Sequence, residues 1–127
     1  IFSDTTGHWG EGYINTAASM GWVFGDTGIG GKFRPDETIT RAEMAAIINR
    51  VLNRLLQGTE DLLPNRLIWF DNKDPISWYY IHIQEATNSH RYRMKDDDIH
   101  EQWIELTPNR DWTILEKPYS QPEDILK

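Results

Sequence analysis

The most constraining stretch of the chain is Ile39 to Leu56, an amphipathic segment whose start is fully specified. Thr40 suits the N-cap, because its hydroxyl can accept from a free N–H of the first turn. Glu43, three residues on, can reach back to the Thr40 N–H and complete a capping box. Ile39 and Met44 form the hydrophobic staple around it. Apolar residues then recur at Met44, Ile47, Ile48, Val51, Leu52 and Leu55, a helical period. Asn49, Arg50, Asn53 and Arg54 take the other face. The spacing predicts a helix over about 40–56.

The cap and the stripe leave Arg41 unexplained. A cation in the first turn faces the positive end of the helix dipole, at a cost of a few tenths of a kcal/mol. Beside free N–H groups the same guanidinium makes an anion site. From these residues alone both readings stand: a solvated arginine, or a ligand for an anion.

Composition narrows the partners. The net charge is −7, and most of the acidic excess follows Leu56. No basic stripe runs along the chain, so nucleic acid is not an expected partner. There is no cysteine, which excludes disulfides and thiol chemistry. No apolar run approaches the roughly 20 residues of a membrane-spanning helix. Six Trp and five Tyr suit a small aromatic core or a carbohydrate-binding face. The chain begins at Ile1 without a signal-like segment, which leads us to expect a piece of a longer or processed polypeptide.

Elsewhere the pattern is also helical. A helix over about 8–20 places Trp9, Tyr13, Ile14 and Ala17 on one face, and Gly21 stops it. Gly25 to Gly31 holds four glycines and reads as a loop. Pro75 opens a third helix to about residue 87, burying Trp78, Ile81, Ile83 and Ala86. The fold class expected is mostly α: a helix-loop-helix unit, a partial helical repeat and an irregular tail. The first two helices are expected to pair, Ile14 and Ala17 against Ile47, Ile48 and Val51. Trp9 and Trp78 are assigned to core packing.

An internal echo runs through the chain. Trp9, Ile14 and Ala17 have the spacing of Trp78, Ile83 and Ala86, and Phe2-Ser3-Asp4 is echoed by Trp69-Phe70-Asp71. No second glycine loop or Thr-Arg-Ala-Glu follows Ala86. The acidic run Asp96-Asp97-Asp98 reads as solvated surface.

Together, Phe2-x-Asp4, Gly7-His8-Trp9, Ile14 with Ala17, Gly21 to Gly25, Phe33-x-Pro35 and Ile39-Thr-Arg-Ala-Glu43 resemble an S-layer homology domain. The resemblance covers one full repeat, about 2–55, and a degenerate partial repeat, about 69–90. It divides the chain into a repeat at 1–56, a linker at 57–68, a degenerate repeat at 69–106 and an irregular acidic tail at 107–127. It implies a non-catalytic module at the cell surface of a bacterium. Such a module anchors an exported protein by binding secondary cell-wall polysaccharide, often through an acidic pyruvylated sugar. In the family the Arg of Thr-Arg-Ala-Glu lines the ligand groove. That places the site at Arg41, with Trp9, Gly25, Thr40 and Glu43 around it. Family anchors carry three repeats, so neighbouring repeats or a second copy are expected to cover the Trp-rich faces. The alternative is a degenerate domain acting as an interaction or spacer unit without glycan affinity.

Other chemistry finds little footing. An EF-hand register from Asp26 to Glu37 puts Gly28 and Gly30 where side-chain oxygens are required. The histidines at 8, 82, 90 and 100 have no metal-ligand spacing. No pair of carboxylates is singled out for glycoside hydrolysis. No catalytic residue, metal or cofactor is therefore assigned. His8 is expected to fix the start of the first helix.

Overall fold

The capping box forms as the sequence predicts. In the computed structural model, which describes residues 1–26 and 31–116, the Thr40 hydroxyl accepts from the Glu43 N–H at 3.1 Å, and the Glu43 carboxylate accepts from the Thr40 N–H at 3.3 Å. The helix it starts, α2, runs Arg41–Val51. The earlier helix, α1, runs Glu11–Ser19. Gly21, at φ +76, ends α1 with the N–H of Gly21 on the Ala18 carbonyl and that of Trp22 on Ala17. His8 accepts the Gly10 N–H at Nδ1 and donates from Nε2 to Asp36, so it does fix the helix start.

α2 stops at Val51, not Leu56, because Asn53 takes a left-handed conformation at φ 56. Its N–H and that of Arg54 turn back onto the carbonyls of Arg50 and Asn49. Asn tolerates this geometry where most residues do not. The chain leaves the turn extended, and Leu55–Leu56 becomes strand β1.

That strand corrects the expected fold class. The chain is not mostly α. Among the described residues there are four short helices, with α3 at Tyr80–Thr87 and α4 at Trp112–Glu116, and a mixed three-stranded sheet. Strand β2 is His90–Met94 and β3 is His100–Leu106; the sheet order is β1-β3-β2. β1 lies parallel to β3, and β2 antiparallel to it. The acidic run is the hairpin turn between them. Asp98 sits at φ 56, and the Asp97 carboxylate accepts from the N–H groups of Ile99 and His100 and from His100 Nδ1. The His100 side chain first, then these amides, hold the Asp97 carboxyl well below its usual range.

The helix pairing is also corrected. α2 packs against α3, not α1. It buries Ala45, Ala46 and Asn49, and Asn49 donates to the His82 carbonyl of α3 at 2.9 Å. The bulkier Met44, Ile48, Val51 and Leu52 are exposed. Two alanines allow close approach, whereas the branched residues would hold the helices apart. α3 itself starts at Tyr80 and buries Tyr80, Ile83, Gln84 and Glu85, leaving Trp78 and Ala86 outside. The main apolar cluster joins Leu56, Leu62, Tyr80 and Trp103.

Beside that cluster lies a buried charged network. Arg54 Nε meets Glu101 at 2.7 Å and its Nη2 meets Glu85 at 3.1 Å. His90 Nε2 lies 3.1 Å from Glu85 and 3.2 Å from Glu101, while Nδ1 faces the Asn88 carbonyl at 2.6 Å. Both ring nitrogens face acceptors, and Arg54 Nη2 also lies 3.1 Å from Nε2. Burial works against its charge, but Glu101, Glu85 and the Asn88 carbonyl outweigh burial and raise His90 to about 9. Burial also opposes ionised Glu101, yet His90, Glu85 and Arg54 bring it down to about 2. Burial dominates at Glu85 and pushes its carboxyl up.

Thr40→Ala should lower unfolding stability by about 1 kcal/mol in a urea titration, through loss of the cap. Stability should also fall as pH rises from 6.5 through about 9, because the folded state holds the His90 proton more tightly than the unfolded one. Glu85, raised, acts in the same direction. On the acid side, the contribution of Glu101 is complete above 4.5 and lost as pH falls through about 2. His90→Gln should flatten the alkaline limb of a stability profile measured by denaturant titration across this range.

Candidate ligand site at the start of the second helix

Arg41 is the first residue of α2, and its side chain is half exposed. It does not point into open solvent. Its Nη1 donates to both oxygens of Asp71, at 3.1 and 2.9 Å, and the guanidinium lies 5.6 Å from the centre of the Trp69 ring. A carboxylate and an aromatic ring from residues 69–71 thus meet Arg41. Such an exposed pair contributes about 0–1 kcal/mol, little enough for another carboxylate to displace it.

Thr40 and Glu43 are occupied by the cap. The Thr40 hydroxyl donates to Glu43, which holds that carboxyl below its usual range against the opposing effect of burial. Glu43 also receives Arg34 at 3.1 Å. Asp26 and Glu37 converge on the same guanidinium. The ends of the supposed EF-hand register are therefore an ion-pair cluster around Arg34.

The remaining motif residues build the fold beneath the site. Asp4 accepts from the N–H groups of Phe33 and Arg34, both at 2.8 Å, and Phe2 packs against Phe33 at 5.3 Å between ring centres. The Phe33 amide, ahead of the opposing effect of burial, holds the Asp4 carboxyl below its usual range. Phe-x-Asp and Phe-x-Pro thus clasp each other across the glycine loop, of which residues 27–30 lie outside the described residues.

A groove of about 870 Å3 runs between this loop and α2. Gly25, Thr40 and Glu43 line it, together with Arg50 and Trp78. Arg41 and Trp9 do not. Trp9 is 84% exposed and lies near His8, so its assignment to the core is corrected, and so is that of Trp78. α1 buries none of its residues, and nothing in it covers the Trp9 ring.

Spacing alone missed the three residues most able to hold a cation, Glu85, His90 and Glu101. Their ligand atoms lie within 4.8 Å of one another but come from α3, β2 and β3. Arg54 and His90 already pair with both carboxylates.

With this geometry in view, comparison with known proteins is direct. Residues 1–45 match the S-layer homology domain. The chain is 31% identical over 97 residues to Cell surface glycoprotein 1 of Acetivibrio thermocellus, covering 76% of this chain and 4% of that protein. It is 32% identical over 97 residues to the Cellulosome-anchoring protein of the same organism, covering 74% of this chain and 19% of that protein. The chain therefore spans less than a fifth of the length of either relative. No solved structure matches it.

The matched segment contains Gly25, whose role is a close approach within the fold. It sits at φ +71, and a Cβ there would lie 2.7 Å from the Phe2 ring and 2.8 Å from the Lys32 carbonyl. Gly25→Ala should cost about 1–3 kcal/mol. A thermal unfolding midpoint equal to that of the unsubstituted protein would contradict this account of the S-layer homology loop.

Proposed function

We propose that the chain is a non-catalytic anchoring module of an exported, cell-surface bacterial protein, and that it binds acidic secondary cell-wall polysaccharide through Arg41. The observation that carries this reading is the carboxylate already seated on Arg41. At the start of a capped helix, with Trp69 beside it, the guanidinium holds Asp71 by both oxygens. A carboxylate-bearing sugar, pyruvylated or uronic, offers the same group and ring faces for an aromatic partner. The names of the two relatives, a cell surface glycoprotein and an anchoring protein, support the location and the role.

The same pair supports a second reading. Arg41 is neutralised from within the chain, as befits a degenerate domain that serves as a spacer or protein-interaction unit. The exposed residues Met44, Ile48, Val51 and Leu52 then form its contact surface, for a neighbouring repeat or a second copy.

Binding to purified wall polysaccharide separates the two. Under the anchoring reading, Arg41→Ala should weaken binding about tenfold or more, and Arg41→Lys less, because an ammonium lacks the planar two-point contact. Asp71→Asn should tighten binding a few-fold by removing the internal competitor. Salt should weaken binding modestly, since few charges take part. Absence of any binding by the unsubstituted protein would leave the spacer reading in its place.

A further inference from the structure

We propose that the open edge of β2 takes up an added strand from a partner polypeptide. The segment that fits is extended, with carboxylates at alternate positions and apolar side chains between them. The surface includes neither Arg41 nor the groove beside α2, so the proposal holds whichever reading of Arg41 applies. β3 is the central strand of the sheet, and among the described residues β2 has a neighbour on one side only.

The ladder between β2 and β3 determines which backbone groups are left over. At one end the Thr107 N–H donates to the Ser89 carbonyl, and at the other the Lys95 N–H donates to the His100 carbonyl. Antiparallel pairs alternate between hydrogen-bonded and non-hydrogen-bonded. Ser89, Arg91, Arg93 and Lys95 therefore turn their backbone groups toward β3, while His90, Tyr92 and Met94 turn theirs outward. The bulge leaves this alternation intact, because the extra residue, Ile104, lies on β3. Among the described residues, no backbone group outside the hairpin bonds to those of His90, Tyr92 and Met94. Such an edge is a template for another strand.

The side chains select the strand. From Ala86 to Lys95 the chain carries no acidic residue. Arg91 and Arg93 share one face of β2, opposite Glu105 and Gln102 of β3. Arg91 meets Glu105 at 3.4 Å with both side chains exposed, a loose pair. Arg93 donates to the Gln102 amide oxygen at 2.8 Å and makes no ion pair among the described residues. On the other face Tyr92 and Met94, opposite Trp103 and Glu101, remain partly exposed. Carboxylates facing Arg91 and Arg93, with apolar residues facing Tyr92 and Met94, match both faces. A second copy of β2 is disfavoured by the same charges. Paired antiparallel about Tyr92, it sets Arg91 opposite Arg93; shifted by one residue, it sets an arginine opposite its own copy. Like charges directly opposite are destabilising. The net charge of −7 repels an acidic partner at long range, so attraction is confined to these cross-strand pairs and the backbone bonds.

The test is titration of the whole chain with a fluorescent synthetic peptide of alternating valine and glutamate, read by anisotropy. The same peptide, N-methylated at the amides that would bond to β2, should bind about tenfold more weakly or worse. Replacing its glutamates by lysines should weaken binding to a similar extent. Arg91→Gln and Arg93→Gln, both at exposed side chains, should each weaken binding a few-fold. Amide hydrogen exchange supplies a readout that unspecific attraction would not move. The peptide should slow exchange at Tyr92 and Met94 and leave Arg93, already bonded to β3, unchanged. The methylated peptide carries the test from the ligand side if a variant does not fold. No binding of the valine–glutamate peptide, or equal binding of its methylated or lysine form, would overturn the proposal. So would protection of Tyr92 and Met94 that grows with protein concentration alone, which would assign the edge to a second copy.

Discussion

Glu85 and Glu101 have side chains 3% and 0% exposed, and the arrangement around them depends on neutralising two buried carboxylates. Unpaired, they would be too costly to keep ionised. Arg54 and His90 supply the two positive charges. Trp103 donates to Glu85 at 2.8 Å and stacks on His90 at 4.0 Å, and Tyr92 lies under the Arg54 guanidinium. These groups come from the end of α2, from α3 and from both strands of the hairpin. The Asn53 turn is what delivers Arg54 to them. The same turn launches β1, whose Leu56 is paired with Glu101 of β3. Charge neutralisation and sheet register are thus fixed by one left-handed residue.

Local rules were legible in the sequence where the chemistry is local. Thr40 with Glu43 and Gly21 determine helix ends within a few residues, and both act as read. The sheet was not legible for the opposite reason. Leu55-Leu56 is too short to show any period, and it is a strand only because β3 lies beside it. His90-Arg-Tyr-Arg-Met carries only one aromatic and one Met, and one of the two buried residues paired with it, Glu101 beside Trp103, is charged, so apolar periodicity passes over the hairpin. Asp96-Asp97-Asp98 reads as solvated charge unless Asp97 is known to accept the amides of Ile99 and His100.

α2 shows the deeper limit of periodicity. The period sets its polar residues, Asn49 and Arg50, on the face opposite the apolar stripe, whose Ile47, Ile48 and Val51 are expected to pack against a neighbouring helix. The structure reverses much of this: Asn49 is 3% exposed, while Met44, Ile48 and Val51 face outward. A helical wheel identifies two faces but does not say which neighbour lies against each. Asn49 is inside because a carbonyl of α3 accepts its amide. For the candidate site, the motif located the start of α2 correctly on the chain. It did not reveal Asp71 on Arg41, which comes from thirty residues downstream. Nor did it distinguish Thr40 and Glu43, spent on the cap, from Arg50, which lines the groove and makes no ion pair among the described residues.

The start of α2 bears on how a module of this size could hold a polymer. A single exposed guanidinium, already paired, gives weak attachment, and a net charge of −7 repels an acidic chain at long range. Neighbouring repeats would change the arithmetic, because binding at one site raises the effective concentration of polymer at the next. At the start of α2, Arg34 gathers Asp26, Glu37 and Glu43 into a fixed cluster. That cluster holds three carboxylates on one guanidinium. One guanidinium cannot balance three carboxylates, so this end of the helix stays net negative, and Arg41 is a local exception to its field.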